Sequence, residues 1–228
     1  MAYRLKMKMA DGTEGTLIQT EHSWKSKMAG IVSFSTCCLL NLFCMARMLM
    51  GEAVCAHCFS AALQKIRKGL KLTTAQNYIT LNEKDIKIGP KVKWTRKALE
   101  INPDKLVRIE SFGDVASVRQ AINYIRVVLA NPDCQFAAWT KNLNFWVKAF
   151  EKVGKPANMT LVFSSLRVNE VDEIPEWARK WVDHRFTVYT KEFLEAHGIK
   201  SNCAGISCAT CKRCYMKGGA FDIIEILR

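Results

Sequence analysis

The sequence predicts an α/β protein, a partial parallel (βα) barrel with Cys-rich metal-binding loops at its strand ends. Three observations carry that expectation. Four strand-like runs recur in the second half of the chain, with starts 24 to 29 residues apart and helix-like segments between them. That alternation marks parallel βα units. The carboxyl ends of these runs are polar and partly basic, and parallel sheets bind their ligands at that end. Nine of the ten cysteines fall into two groups, one just after the first expected strand and one at residues 203–214.

Taken in order, residues 1–29 are expected to form an N-terminal extension, 30–200 the barrel domain and 201–228 a Cys-rich metal-binding segment. Met1 to Met9 is basic and polar, with no apolar core behind it, so no targeting signal is expected and the reading is cytoplasmic. Met28 to Ala46 is a stretch of 19 uncharged residues, close to the length that crosses a bilayer. Ser33, Ser35, Thr36 and Asn41 interrupt it. It reads better as a buried first strand, Gly30 to Thr36, running into a cysteine-bearing turn, with no membrane contact.

Residues 60–105 are helical in pattern and lead to the second strand, Leu106–Ser111. The later strands are Gln135–Trp139, Met159–Phe163 and Phe186–Tyr189. Helices are expected over Val115–Leu129, Leu143–Val153 and Ile174–Trp181. Val118, Ile122, Ile125 and Leu129 give the first of these one apolar face. Asn131-Pro132 and Gly154-Lys-Pro156 break the helices before the next strand. The strand ends read Ser111-Phe-Gly-Asp114, Trp139-Thr-Lys-Asn142, Phe163-Ser-Ser165 and Tyr189-Thr-Lys-Glu192. Asp114, Lys141, Ser164 and Lys191 are therefore candidates for one shared site. Asp114 and Asn142 are also candidate N-caps.

Clustered cysteines in a reducing compartment point to metal. Cys208, Cys211 and Cys214 place three thiolates in seven residues, the spacing that wraps an iron–sulfur cubane. Cys203 is the candidate fourth ligand. Zinc is the alternative, though it more often takes two Cys-x-x-Cys pairs. In the first group Cys55-x-x-Cys58 is a two-ligand knuckle whose partners come from Cys37, Cys38 and Cys44. His57 reads as exposed or outside the ligand set, and Cys134 as a small core residue.

Lys and Arg number 34 against 21 Asp and Glu, a formal charge of +13 over 228 residues. The bias peaks between Lys65 and Arg108, with 12 basic and 4 acidic residues and with Tyr78 and Trp94 interleaved. Such a surface attracts phosphate backbones, so a nucleic acid is the expected partner of this segment. No Gly-rich phosphate loop, Ser–His–Asp pattern or HExxH occurs, which leaves those enzyme classes without support.

Thr36-Cys37 after a strand, Cys55-x-x-Cys58-aromatic, Phe112-Gly-Asp114, the Trp139-Thr-Lys141 strand end and a terminal run closing on Cys211-x-x-Cys214-Tyr resemble the phage gene product 88 family, from about residue 30 to 215. The resemblance implies a phage or mobile-element context, and so a host cytoplasm, without implying a mechanism. A wider likeness is to radical S-adenosylmethionine enzymes, which have a partial βα barrel, three cluster cysteines after strand one and a Gly-Gly-Glu-type motif after strand two. Here Cys37, Cys55 and Cys58 follow strand one and Gly113-Asp114 follows strand two, although 17 residues separate the first two cysteines where that superfamily has three. This likeness implies one or two 4Fe–4S clusters, S-adenosylmethionine near Gly113, Asp114 and Ser164, and an enzyme acting on a nucleic acid or nucleotide. Asp114 would take the cofactor's ammonium, and Lys141 and Lys191 would neutralise acidic groups. The rival expectation is a non-enzymatic protein that binds nucleic acid or a host factor, with structural zinc or iron–sulfur.

Overall fold

The structure, a computed structural model, describes residues 2–203, 205–218 and 221–227. Its centre is a nine-stranded sheet made of β1 (Ala2–Met9), β2 (Glu14–Glu21), β3 (Val32–Phe34), β4 (Ile86–Ile88), β5 (Leu106–Ile109), β6 (Gln135–Thr140), β7 (Met159–Ser164), β8 (His184–Tyr189) and β9 (Phe221–Ile226). The spatial order is β4-β1-β2-β3-β5-β6-β7-β8-β9. From β3 across to β9 the strands are parallel and follow chain order. On the other side of β3 they are antiparallel. β4 and β9 form the two edges and do not pair with each other. The parallel run is as expected, but the sheet is open and mixed rather than a purely parallel barrel.

The expected extension belongs to the sheet. Leu5, Met7 and Met9 point inward while Lys6 and Lys8 point to solvent, the period of a half-buried strand. The turn to β2 is made by Asp11, whose Oδ1 accepts from the Thr13 N–H at 3.0 Å, and by Gly12 at φ +85°, a conformation that favours glycine. At the other end residues 221–226 join β8 in parallel. The outer edge of β9 is covered by its own chain. Asn202 Oδ1 accepts from the Ile224 N–H at 2.9 Å and its Nδ2 donates to the Asp222 carbonyl at 2.8 Å.

The helices are α1 (Leu42–Met48), α2 (Phe59–Ile66), α3 (Lys68–Glu83), α4 (Arg96–Ile101), α5 (Val118–Leu129), α6 (Leu143–Val153), α7 (Glu176–Arg179), α8 (Lys191–Ala196) and α9 (Cys208–Cys211). The main core lies between one face of the sheet and α3, α5 and α6, around Phe34, Tyr124, Phe136, Trp146 and Phe150. α5 starts at Val118, capped by Ser117, whose hydroxyl accepts from the Gln120 N–H at 3.0 Å. Asp114 is therefore not its cap. Asn142 does occupy the cap position of α6, without a side-chain cap bond.

The opposite face carries Ile31, Leu106, Ala137, Trp139, Val162 and Ile223, and Ala209 and Tyr215 of the Cys-rich segment pack onto it. The cysteine segment is thus a cover laid across the parallel strands. Among the described residues no helix is long and apolar enough to cross a membrane.

Candidate functional site

The first cysteine group forms where β3 ends. Cys37 and Cys38 are buried, and their thiols donate to Gln64 Oε1 at 3.2 and 3.3 Å. Gln64 is fixed in turn by donating to the Phe112 carbonyl at 3.2 Å. The neighbouring Cys38 thiol, and then the Ser60 and Ala61 N–H groups in the first turn of α2, hold Cys58 toward thiolate, and Cys58 in turn holds Cys38 toward thiol. Burial pushes the Cys44 and Cys55 thiols up. The Asp114 and Glu110 carboxylates push Cys44 further, while Lys141 and Arg47 draw Cys55 back. His57 is exposed, as read from the sequence.

The ends of β5 and β6 close around these thiols. Asp114 is buried and heavily bonded: Oδ1 accepts from the Val115 N–H at 2.8 Å and the Thr140 hydroxyl at 2.7 Å, and Oδ2 from the Lys141 N–H at 2.7 Å. It ties two neighbouring strand ends together, and burial still pushes its carboxyl up. Gly113 has a steric reason, since a Cβ there would lie 2.6 Å from the Thr36 carbonyl oxygen and 2.8 Å from Glu110 Oε2. Lys141 Nζ reaches Ser164 Oγ at 2.8 Å across to β7. Asp114, Lys141, Ser164, Cys55 and Cys58 are therefore neighbours. Lys191 is not among them: it opens α8, largely exposed, and pairs with Glu195 at 3.6 Å.

Glu110 was not singled out in the sequence. It is buried at the end of β5, at φ +57°. Its carboxylate accepts from the Thr36 N–H at 3.0 Å, the Thr36 and Tyr124 hydroxyls at 2.7 Å each and Gln120 Nε2 at 2.8 Å. Burial outweighs these donors and lifts its pKa to about 7.

The second group lies on the covered face. The Cys208 N–H donates to the Lys27 carbonyl at 2.7 Å, and Thr160 Oγ1 of β7 donates to the Cys214 carbonyl at 2.6 Å. Lys27 Nζ lies 3.3 Å from Cys203 Sγ and pairs with Glu225. Arg108 rises from β5 with its guanidinium 3.0 Å from the centroid of the Trp139 ring. Its Nε is buried without a hydrogen-bond partner among the described residues. Burial presses this cation toward neutrality, and Tyr215, Cys214, Cys208 and Cys203 act against that. Burial lifts Cys214 to about 12, with Arg108 opposing. Cys208 is raised for the same reason, against Arg108 and Lys27 and with Cys211 adding to the rise. Cys134 sits apart, buried in the main core, its thiol pushed up to about 11.

Among the described residues no three His, Cys, Asp or Glu side chains converge as ligands of a single ion. In the basic segment every cation except Lys105 and Arg108 is exposed. Trp94 packs against the core instead of facing solvent with them.

No curated protein and no solved structure matches the chain. The family model described as gene product 88 matches residues 4–217, which takes in both cysteine groups and every strand except β9, and the chain belongs to that family.

Proposed function

We propose that the protein binds iron–sulfur clusters through its two cysteine groups, with Cys37, Cys55 and Cys58 at the strand ends and Cys203, Cys208, Cys211 and Cys214 on the covered face. The observation that carries this reading is Arg108. A buried guanidinium with an unbonded Nε costs several kcal/mol unless an anion lies beside it. Besides the Trp139 ring, the groups that face it are the Tyr215 phenol and the thiols of Cys214, Cys208 and Cys203, and thiols become anionic when they bind metal. Lys27 at Cys203 supplies a second cation to the same group. Three thiols at Cys208, Cys211 and Cys214 in one short turn suit a cubane better than zinc's paired knuckles.

A bound cluster supplies one-electron chemistry. The chain's own residues hold and shield the site. Gln64 orients Cys37 and Cys38, the first turn of α2 favours the Cys58 thiolate, and Lys141 stands ready for acidic groups beside Cys55 and Cys58. The enzymatic form of the proposal is a radical S-adenosylmethionine-type reaction on a nucleic acid or nucleotide. Six parallel strands in chain order, with cysteines after the first, support this form of the reading, although they belong to an open, mixed sheet and not to a barrel. Asp114 Oδ2, which carries a single hydrogen bond, is the oxygen left for a cofactor ammonium.

The test is anaerobic purification with iron, sulfide and zinc analysis, run beside the variant Arg108→Met. Iron and sulfide in equal amounts, with broad absorption near ~400 nm that weakens in the variant, is the expected result. Stoichiometric zinc without sulfide would overturn it and leave a structural metal in a nucleic-acid- or host-factor-binding protein. A metal-free variant more stable than wild type would show that no anion accompanies Arg108.

A further inference from the structure

Phe59 opens α2 directly after Cys58 and is 62% exposed. Its ring meets Phe112 at 6.1 Å and 57°, and Phe112 stacks on His22 at 6.0 Å and 20°. His22 is anchored to Ser111 Oγ at 3.3 Å. Three rings thus step from solvent toward the interior, beside the first cysteine group. The core accounts for Trp94, Tyr124, Trp146 and Phe150, whereas the outer face of Phe59 stays exposed among the described residues.

The surroundings of that face are basic. No Asp or Glu occurs between Glu52 and Glu83, whereas Lys65, Arg67, Lys68 and Lys71 are all exposed there. An exposed aromatic face within a basic rim is how proteins hold single-stranded nucleic acid, bases on the rings and phosphates on the cations. An acidic protein partner would suit the cations as well, and an abasic control separates the two, since only a base can stack on the ring.

We propose that Phe59, backed by Phe112 and His22, stacks a base of a single-stranded nucleic acid whose backbone runs along the lysines of α2 and α3. This deepens the nucleic-acid part of the reading above by naming strand state and contact.

The experiment is fluorescence anisotropy of the whole protein with a labelled thymidine oligomer of roughly twelve nucleotides and with an abasic backbone of the same length. Wild type is expected to prefer the thymidine oligomer, with affinity falling as salt rises. Phe59→Ala should lose that preference, binding about tenfold more weakly, while Phe59→Trp retains it. Melting curves serve as the folding check, since an exposed ring contributes little to stability. Equal affinity of wild type for the two oligomers, no binding to either, or an unchanged Phe59→Ala variant would overturn the proposal. Iron and sulfide content is measured separately, so failure here leaves the cluster reading standing.

Discussion

The two cysteine groups sit in different electrostatic settings. The C-terminal group is met by two cations, Lys27 and Arg108, each reaching it from a distant part of the chain, and by one carboxylate, Glu225, which pairs with Lys27 and pushes Cys203 and Cys208 up. The first group shares its space with two buried carboxylates, Glu110 and Asp114, and is relieved by Lys141, Arg47 and the first turn of α2. Cations outnumber carboxylates at the C-terminal group and only balance them at the first. If both groups bind metal as proposed, that difference would suit the C-terminal group to holding the fold and the first group to reactivity, since perturbed groups are where chemistry concentrates.

Several substitutions would break or sharpen that contrast. The largest effect is expected from Cys214→Ala. If metal at the C-terminal group contributes several kcal/mol to folding, the melting temperature should fall by ~10 °C or more. Cys58→Ala should lose metal from the first group with a smaller drop. Calorimetry with metal analysis compares them, and equal drops would erase the distinction.

Next comes pH. Glu110 is raised in the folded state to about 7, above its ordinary carboxyl value, so its stabilising contribution is present at low pH and lost as pH rises through about 7. His22 is lowered to about 4, by burial and then by Arg108, so its contribution is lost as pH falls below the usual imidazole range of ~6.5. The two oppose each other in mildly acidic solution, and above pH ~6 the Cys58 thiol, lowered to about 6, adds stability as pH rises. Glu110 is therefore read by difference: in urea titrations wild type should lose up to about 1.4 kcal/mol per pH unit relative to Glu110→Gln between pH 4.5 and about 7, with no further divergence above pH ~8. An unchanged difference across that range would remove Glu110 from the account of the first group.

The smallest effect is expected at the cysteine outside both groups. Cys134→Ala removes one buried sulfur and should cost about 1 kcal/mol, a shift of ~2–4 °C, with metal content unchanged.

Much of this was legible in the sequence because local spacing encodes it. The Cys-x-x-Cys steps, the apolar face of α5 and four of the five later strands of the parallel run, all but β9, are short-range patterns. The β1–β2 hairpin was legible too, in the alternation Leu5-Lys-Met7-Lys-Met9, but its lysines read as a basic tail. The compensating cations were not legible. Arg108 looks like an ordinary charge on a strand, and Lys27 lies 176 residues before the cysteine it meets. Gln64 carries no motif, because its role comes from where α2 packs. Asp114 was visible as a residue, but two of the three bonds that occupy it, from Thr140 and Lys141, depend on the register of β5 against β6.

The Asn202 side chain on β9 has a consequence for the fate of the protein when metal is lost. An open sheet ends in unpaired backbone groups, and such an edge readily recruits another chain. On β9 the neighbouring residues 201–203 occupy that edge: Ser201 Oγ and the Cys203 N–H both donate to the Ile224 carbonyl, at 2.8 and 3.1 Å. The segment that guards the edge is therefore the one that carries Cys203. If metal anchors Cys203, chelation would free the guard before the core unfolds, and the first sign of metal loss would be light scattering from sheet-to-sheet association rather than a loss of helix signal.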